Sequence, residues 1–292
     1  MRLKADLILF MVAVIWGATF IFQRTAAQYH LAFLFNGASF LLGAFILLPA
    51  VPRAKKLPSR QWLWMCIAGG LLFIASNLQQ IGIFYTRVAN AGFITSLYTV
   101  FTPFLLWLGF REKPHWLDAL AVTIATLGAY LLSTGGSFEL HPGDGLELLG
   151  AVFWGIHFVV LGKFASQFEP LSFSAGQFVI SGVFNLIAGL WFENPASLMV
   201  LPVIGAVVFR AVLGITLGYT LQVWGQRHTP PTDAALILGL EAVFGALFAW
   251  LFVSERLLPI QTIGCVVIFA AVMLSQLKPA SMAHGETEYP AG

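Results

Sequence analysis

Glu241 and Arg210 are the two charges set well inside long apolar runs of this 292-residue chain. A carboxyl at that depth can take up and release a proton, and so could couple proton entry to the movement of another solute. It could equally pair with Arg210 and hold two helices together. Uncharged polar residues share the same runs, and their spacing selects faces. Trp16, Thr19, Phe20 and Gln23 fall at i, i+3, i+4 and i+7, one stripe of an α-helix. Trp154, His157 and Phe158 repeat it, and Thr95, Tyr98, Thr99 and Thr102 form a third stripe. Asn77 and Gln80, with Gln79 beside them, and Thr216, Tyr219 and Thr220 add two more. Together they describe a cavity lined by aromatic rings and amides, suited to a solute with an apolar body and polar or cationic ends. Interhelical hydrogen bonding is the competing role for each Thr, Asn and Gln, and a lone His such as His157 is commonly a helix contact.

The elements that must position these residues are membrane-spanning helices. Hydrophobic residues make up 59% of the chain and charged ones 10%, and the apolar residues come in blocks near the ~20 residues that cross a bilayer. Ten blocks are legible, at about 6–23, 30–48, 62–85, 91–110, 116–134, 146–165, 172–192, 201–224, 234–253 and 259–277. Between them stand turn residues such as Pro49, Pro142 with Gly143, and Pro230 with Pro231. Loops this short leave no room for a soluble catalytic module, and from Lys278 to Gly292 the polar tail predicts disorder. Placing both termini in the cytoplasm puts eleven Lys and Arg on the inside against Arg24, Arg87 and Arg256 outside. Cys66 and Cys265, one in each half, have neither disulfide nor metal-ligand spacing and read as small packing residues.

The chain also repeats itself. A shift of 143 residues pairs Leu78-Gln79 with Leu221-Gln222, Leu97 with Leu240, Val100-Phe101 with Val243-Phe244 and Glu112 with Glu255. A shift of 138 pairs Ala13-Val14-Ile15-Trp16-Gly17 with Ala151-Val152-Phe153-Trp154-Gly155. Residues 1–140 and 141–277 are then two repeats of five helices. Five is odd, so the second repeat enters the membrane from the opposite side, an arrangement that recurs in secondary transporters.

The Trp-Gly-x-x-Phe motif, the segment from Ala89 to Glu112 and its counterpart from Leu240 to Glu255 resemble the EamA-type branch of the drug/metabolite transporter superfamily. The resemblance covers residues 5 to 277. It implies an all-α membrane fold of ten helices as a five-plus-five inverted repeat, a central cavity lined by the first four helices of each half, and frequently export of amino acids or related metabolites. Many relatives carry Arg in the second helix; this chain has Asn36 there and Gln177 at comparable depth in the seventh. A cavity without that cation is therefore expected.

The resulting expectation is a proton-coupled exporter of small amphiphilic metabolites in the inner membrane, working by alternating access and not an enzyme. Its substrate would meet Trp16, Thr19, Asn36, Asn77, Gln80, Thr95, Tyr98, Trp154, His157, Gln177 and Tyr219, with Glu241 coupling protons. A flippase for lipid-linked substrates would use the same fold. An integral-membrane transferase would need acidic or His clusters at the surface, where only scattered Glu139, Asp144 and Glu193 occur. No cofactor or metal site is legible, and the dispersed basic residues argue against nucleic acid. Membrane lipids and a small-molecule substrate are the expected partners; one chain suffices for the pathway, and a homodimer is compatible with it.

Overall fold

A computed structural model describes residues 1–52, 58–86, 88–134, 141–164, 167–253, 258–275 and 277. The tail expected to be disordered lies outside the described residues. Among those residues every regular element is helical: α1 (Arg2–Gln28), α2 (Phe33–Leu47), α3 (Ser59–Tyr85), α4 (Val88–Ser96 and Tyr98–Phe110), α5 (Trp116–Thr134), α6 (Asp144–Lys163), α7 (Pro170–Phe192), α8 (Leu201–Gly225), α9 (Pro231–Leu238 and Glu241–Val253) and α10 (Pro259–Ser275). Eight are long and apolar enough to cross a membrane; α5 and α10 are apolar but shorter.

The bundle is inverted relative to a soluble protein. Phe45, Trp191, Phe192 and Phe252 stand exposed, whereas Asn36, Gln80, His157, Gln177 and Asn185 are wholly buried. In hydrocarbon the outer surface gains nothing from polarity, and each polar group must find its partner inside. Cys66 is exposed on this outer surface instead of packing in the interior.

Equivalent helices of the two halves exchange contacts: α1 packs on α9 as α6 packs on α4, and α3 on α6 as α8 on α1. The repeated glycine stands at two of these crossings. A Cβ on Gly17 would lie 2.5 Å from Phe244 Cβ, and one on Gly155 would lie 3.2 Å from Phe101 Cβ, the equivalent residue. Any side chain at Gly17 would push α1 off α9.

Two helices expected to be continuous are broken, and at equivalent points. In α4 the turn at Leu97 tightens to a Leu97 N–H to Ile94 carbonyl bond of 3.1 Å; in α9 Leu240 N–H reaches the Ile237 carbonyl at 3.2 Å. Such i→i−3 turns interrupt the α-helical ladder and free backbone groups near the centre of the bundle.

The two ends of the bundle are fastened by another equivalent pair. At the end where α1 begins, Thr229 Oγ1 donates to Asp6 at 2.7 Å, beside an Arg2–Asp233 ion pair and a Lys163–Glu112 pair joining α6 to the end of α4. At the opposite end, where α6 begins, Thr86 Oγ1 donates to Asp144. Shifts of 138 and 143 turn Asp6 into Asp144 and Thr86 into Thr229, so one latch is the repeat image of the other. Glu193, following α7, also serves the second end: its carboxylate accepts the backbone N–H groups of Ala32, Phe33 and Leu34 at 2.7, 2.9 and 2.8 Å and caps α2.

Both latches are made in this structure, one at each end of the bundle. Thr86→Val and Thr229→Val each remove one latch hydroxyl, and a cysteine placed at the buried Thr95, with Cys66 and Cys265 replaced by serine, reports access. In sealed vesicles, labelling by an impermeant maleimide should rise several-fold from one side for Thr86→Val and from the other for Thr229→Val; a rise from the same side would contradict the opposed latches.

Candidate functional site

The two breaks place Tyr98 and Glu241 face to face. Each is the first residue after its break, each is the repeat image of the other, and Tyr98 Oη donates to Glu241 Oε1 at 3.1 Å. Two positions exchanged by a pseudo-two-fold can touch only beside its axis, so this hydrogen bond marks the centre of symmetry. It borders a small cavity, about 40 Å³, lined by Trp16, Thr19, Phe20, Gln23, Gln79, Thr95, Tyr98, Trp154, Phe158, Arg210, Gly214, Ile215, Tyr219 and Glu241.

Aromatic rings form its body. Tyr219 lies against both repeat-related tryptophans, with ring centroids 4.8 Å from Trp16 and 6.2 Å from Trp154. Tyr98 meets Phe158 edge to face at 4.6 Å. Each indole is fixed by a hydrogen bond: Trp16 Nε1 to the Gly214 carbonyl and Trp154 Nε1 to Gln79 Oε1, both at 3.0 Å. Gly218 permits the first of these, since a Cβ there would lie 2.5 Å from Trp16 Nε1.

Arg210 reaches this cavity because part of α8 is wound as a π-helix, over Arg210–Tyr219. Nine residues separate the two. In an α-helix of 3.6 residues per turn that is two and a half turns, which would set them on opposite faces. The wider i→i−5 turns bring the interval close to two whole turns, and Arg210, Gly214, Ile215 and Tyr219 face the cavity together. The stripe of Thr216, Tyr219 and Thr220 expected from α-helical spacing is therefore corrected. Only Tyr219 of the three lines the cavity; Thr216 Oγ1 instead donates to the Ala211 and Gly43 carbonyls.

The guanidinium is held by amides, not by a carboxylate. Arg210 donates to Asn36 Oδ1, Asn36 Nδ2 to Asn77 Oδ1 at 2.8 Å, and Asn77 Nδ2 to Asn185 Oδ1 at 2.7 Å; Asn185 ends the chain on the Ser181 carbonyl at 2.9 Å. Every dipole points its oxygen towards the charge, so the chain polarises cooperatively. Phe35 and Phe40 add ring faces at 4.9 and 5.7 Å. Among the described residues no ion pair joins Arg210 to Glu241. The alternative of a structural Arg210–Glu241 bridge is thus not what the structure contains. The cavity has a cation after all, supplied by α8 and docked on Asn36.

Of the residues expected from sequence, Trp16, Thr19, Thr95, Tyr98, Trp154, Tyr219 and Glu241 line the cavity. Asn36 and Asn77 stand behind its wall in the amide chain, and Gln80 donates to the Gln23 carbonyl at 2.9 Å. The face of α3 that meets the cavity carries Gln79, not its neighbour Gln80, because Gln79 bridges Trp154 and Gln23. His157 and Gln177 bond to each other at 3.1 Å and join α6 to α7 outside the lining. Glu112 is paired with Lys163, and Glu255 lies outside the described residues. Asn185 and the buried Glu147 were not singled out by sequence; depth in an apolar run is the signal for Asn185, while Glu147 stands only one turn from a loop.

Asn77 is the middle link of the amide chain, bonded to Asn36 on one side and Asn185 on the other. Replacing it with Leu leaves the Asn36 and Asn185 groups unpaired, each costing about 1–3 kcal/mol when buried. Asn77→Leu should therefore lower the thermal unfolding midpoint in detergent, whereas Asn77→Asp, which can still accept from Asn36, should lower it less. Equal midpoints for native protein and Asn77→Leu would show that the chain carries no stability.

A sequence profile described as the EamA-like transporter family matches residues 3–134 and again 141–277. An uncharacterized transporter of Archaeoglobus fulgidus is 32% identical over 281 residues, covering 95% of this chain and 87% of that protein. The uncharacterized transporter YvbV of Bacillus subtilis is 27% identical over 85% of this chain and 84% of its own length, and the uncharacterized inner membrane transporter YedA of Escherichia coli 24% over 91% and 89%. A solved crystal structure superimposes with a TM-score of 0.80 at 18% identity, covering 95% of this chain and 99% of that one, a likeness of fold alone. With two profile matches spanning nearly all of its helices, this multi-pass membrane protein belongs to the EamA-like transporter family.

Proposed function

We propose that this transporter exports small zwitterionic, amino-acid-like metabolites across the inner membrane by alternating access, driven by protons that Glu241 carries. One observation supports the substrate class above others: a guanidinium and a carboxyl line the same cavity without pairing with each other. A planar fork with five donors, of which Asn36 takes one, keeps donors for a carboxylate. Glu241 and the faces of Trp16, Trp154 and Tyr219 suit the ammonium end, and Phe20, Phe158 and Ile215 an apolar side chain.

The same groups suggest the coupling. Glu241 can hold either a proton or the substrate's ammonium, and competition between the two makes proton entry and substrate exit alternate. The position on the symmetry axis lets it serve both orientations of the cavity. The bias of Lys and Arg assigns the α1 end to the cytoplasm, so the Thr229–Asp6 latch would close the inner mouth and Thr86–Asp144 the outer one.

Counterflow of labelled neutral amino acids in proteoliposomes tests this reading. Native protein should exchange them at equal pH and accumulate them under a proton gradient. Arg210→Gln should lower exchange at least ~10-fold, the loss of about 1.4 kcal/mol of binding, and Glu241→Gln should exchange without responding to the gradient. Absence of counterflow for every amino acid would remove the substrate class, and a full gradient response in Glu241→Gln would remove Glu241 from coupling.

A further inference from the structure

We infer that Glu147 is a second proton-binding residue, loading the transporter from the end of the bundle where α6 begins; this rests on the proton-coupled reading above and adds a site to it. The side chain sits on the first turn of α6, wholly buried between α3 and α4. Its Oε2 accepts the Thr95 hydroxyl at 2.9 Å, while Oε1 has no partner among the described residues. The pocket is built for that oxygen: a Cβ on Gly82 of α3 would lie 2.5 Å from it.

No described cation answers this carboxyl within 4 Å. From α3 it meets Gly82 and from α4 Thr95, neither of them charged. The titratable groups nearby are Asp144, one turn earlier on α6, and His141, whose ring Nδ1 stands 3.9 Å from Asp144 Oδ2. Asp144 is occupied, accepting Thr86 Oγ1 and the His141 backbone N–H. Arg210 shows how this fold accommodates a buried charge, with a polarised chain of amides and two aromatic faces. Glu147 has one hydroxyl donor. A wholly buried carboxyl with one hydroxyl donor and no described cation within reach is favoured in its neutral, protonated form.

The position also connects outward and inward. Asp144 of the latch lies one turn away on one side. On the other, the Thr95 that bonds Glu147 lines the central cavity, one turn before Tyr98, which bonds Glu241. When the latch opens, a proton can reach Glu147; when it closes, the O–H bond at Glu147 breaks as one forms at the Glu241 carboxylate across the cavity. The step is a proton transfer and needs no co-reactant. Repeat symmetry makes it directional: the residue equivalent to Glu147 under the 138-residue shift is Leu9, and the buried acid described at the α1 end, Asp233, is paired with Arg2.

Two measurements on Glu147→Gln separate this inference from the function reading. The first uses purified full-length protein without substrate: infrared difference spectra across a pH jump should show a protonated-carboxyl band in native protein and in Glu241→Gln that is missing in Glu147→Gln. An unchanged band in Glu147→Gln overturns the site whatever the substrate proves to be. The second uses the proteoliposomes above: Glu147→Gln should lose most gradient-driven accumulation relative to its own exchange at equal pH, and full accumulation would overturn the inference. Should Glu147→Gln not fold, Thr95→Val removes the one donor to the carboxyl, and the band must shift; an unshifted band has the same overturning force.

Discussion

The crossing of each half's first helix over the broken helix of the other half sets the geometry of everything inside this bundle. Gly17 lets α1 touch α9 at Phe244, and Gly155 lets α6 touch α4 at Phe101. With those crossings close, the residue one position before each glycine, Trp16 or Trp154, faces the centre and packs on Tyr219. The broken helices are pinned at their breaks, and Tyr98 and Glu241 come together on the symmetry axis. A bulkier residue at either crossing would separate the halves and open the centre to solvent or lipid.

Around that centre the low dielectric decides what is tolerated. Burying a guanidinium costs several kcal/mol unless it is stabilised, and here Asn36 accepts one donor while the amide chain behind it, to Asn185, polarises towards the charge without a countercharge. A carboxylate in that role would have neutralised Arg210. Glu241 bonds Tyr98 instead of Arg210, so a guanidinium and a carboxyl line one cavity without pairing with each other. The π-helical turn in α8 is the backbone feature that permits this, and π-turns are frequent where a helix carries function.

The latches extend the symmetry to the ends of the bundle. Asp6 with Thr229 and Asp144 with Thr86 are the same contact made twice, and both are closed here. Each is a single hydroxyl-to-carboxylate bond, weak enough to exchange for solvent and placed where helix ends meet. The ends are otherwise unequal: one adds the Arg2–Asp233 and Lys163–Glu112 pairs, the other the buried carboxyl of Glu147.

Sequence by itself determined the helical class, the two repeats and about half of the cavity wall. Apolar blocks of spanning length admit only helices in hydrocarbon, and an α-helical stripe such as Trp16, Thr19, Phe20 and Gln23 keeps its face wherever the helix stays regular. Repeat alignment also placed Glu241 opposite Tyr98 in register, though not in contact. What only the tertiary structure decided lies where helices depart from regular winding or where neighbours choose between adjacent residues. The π-turn moved Arg210 onto the face of Tyr219, against α-helical arithmetic. Trp154 selected Gln79 over Gln80, and Gly82 made room for Glu147 beneath what reads as a loop. Local spacing cannot encode these outcomes, because each depends on which side chain of another helix arrives at hydrogen-bonding distance.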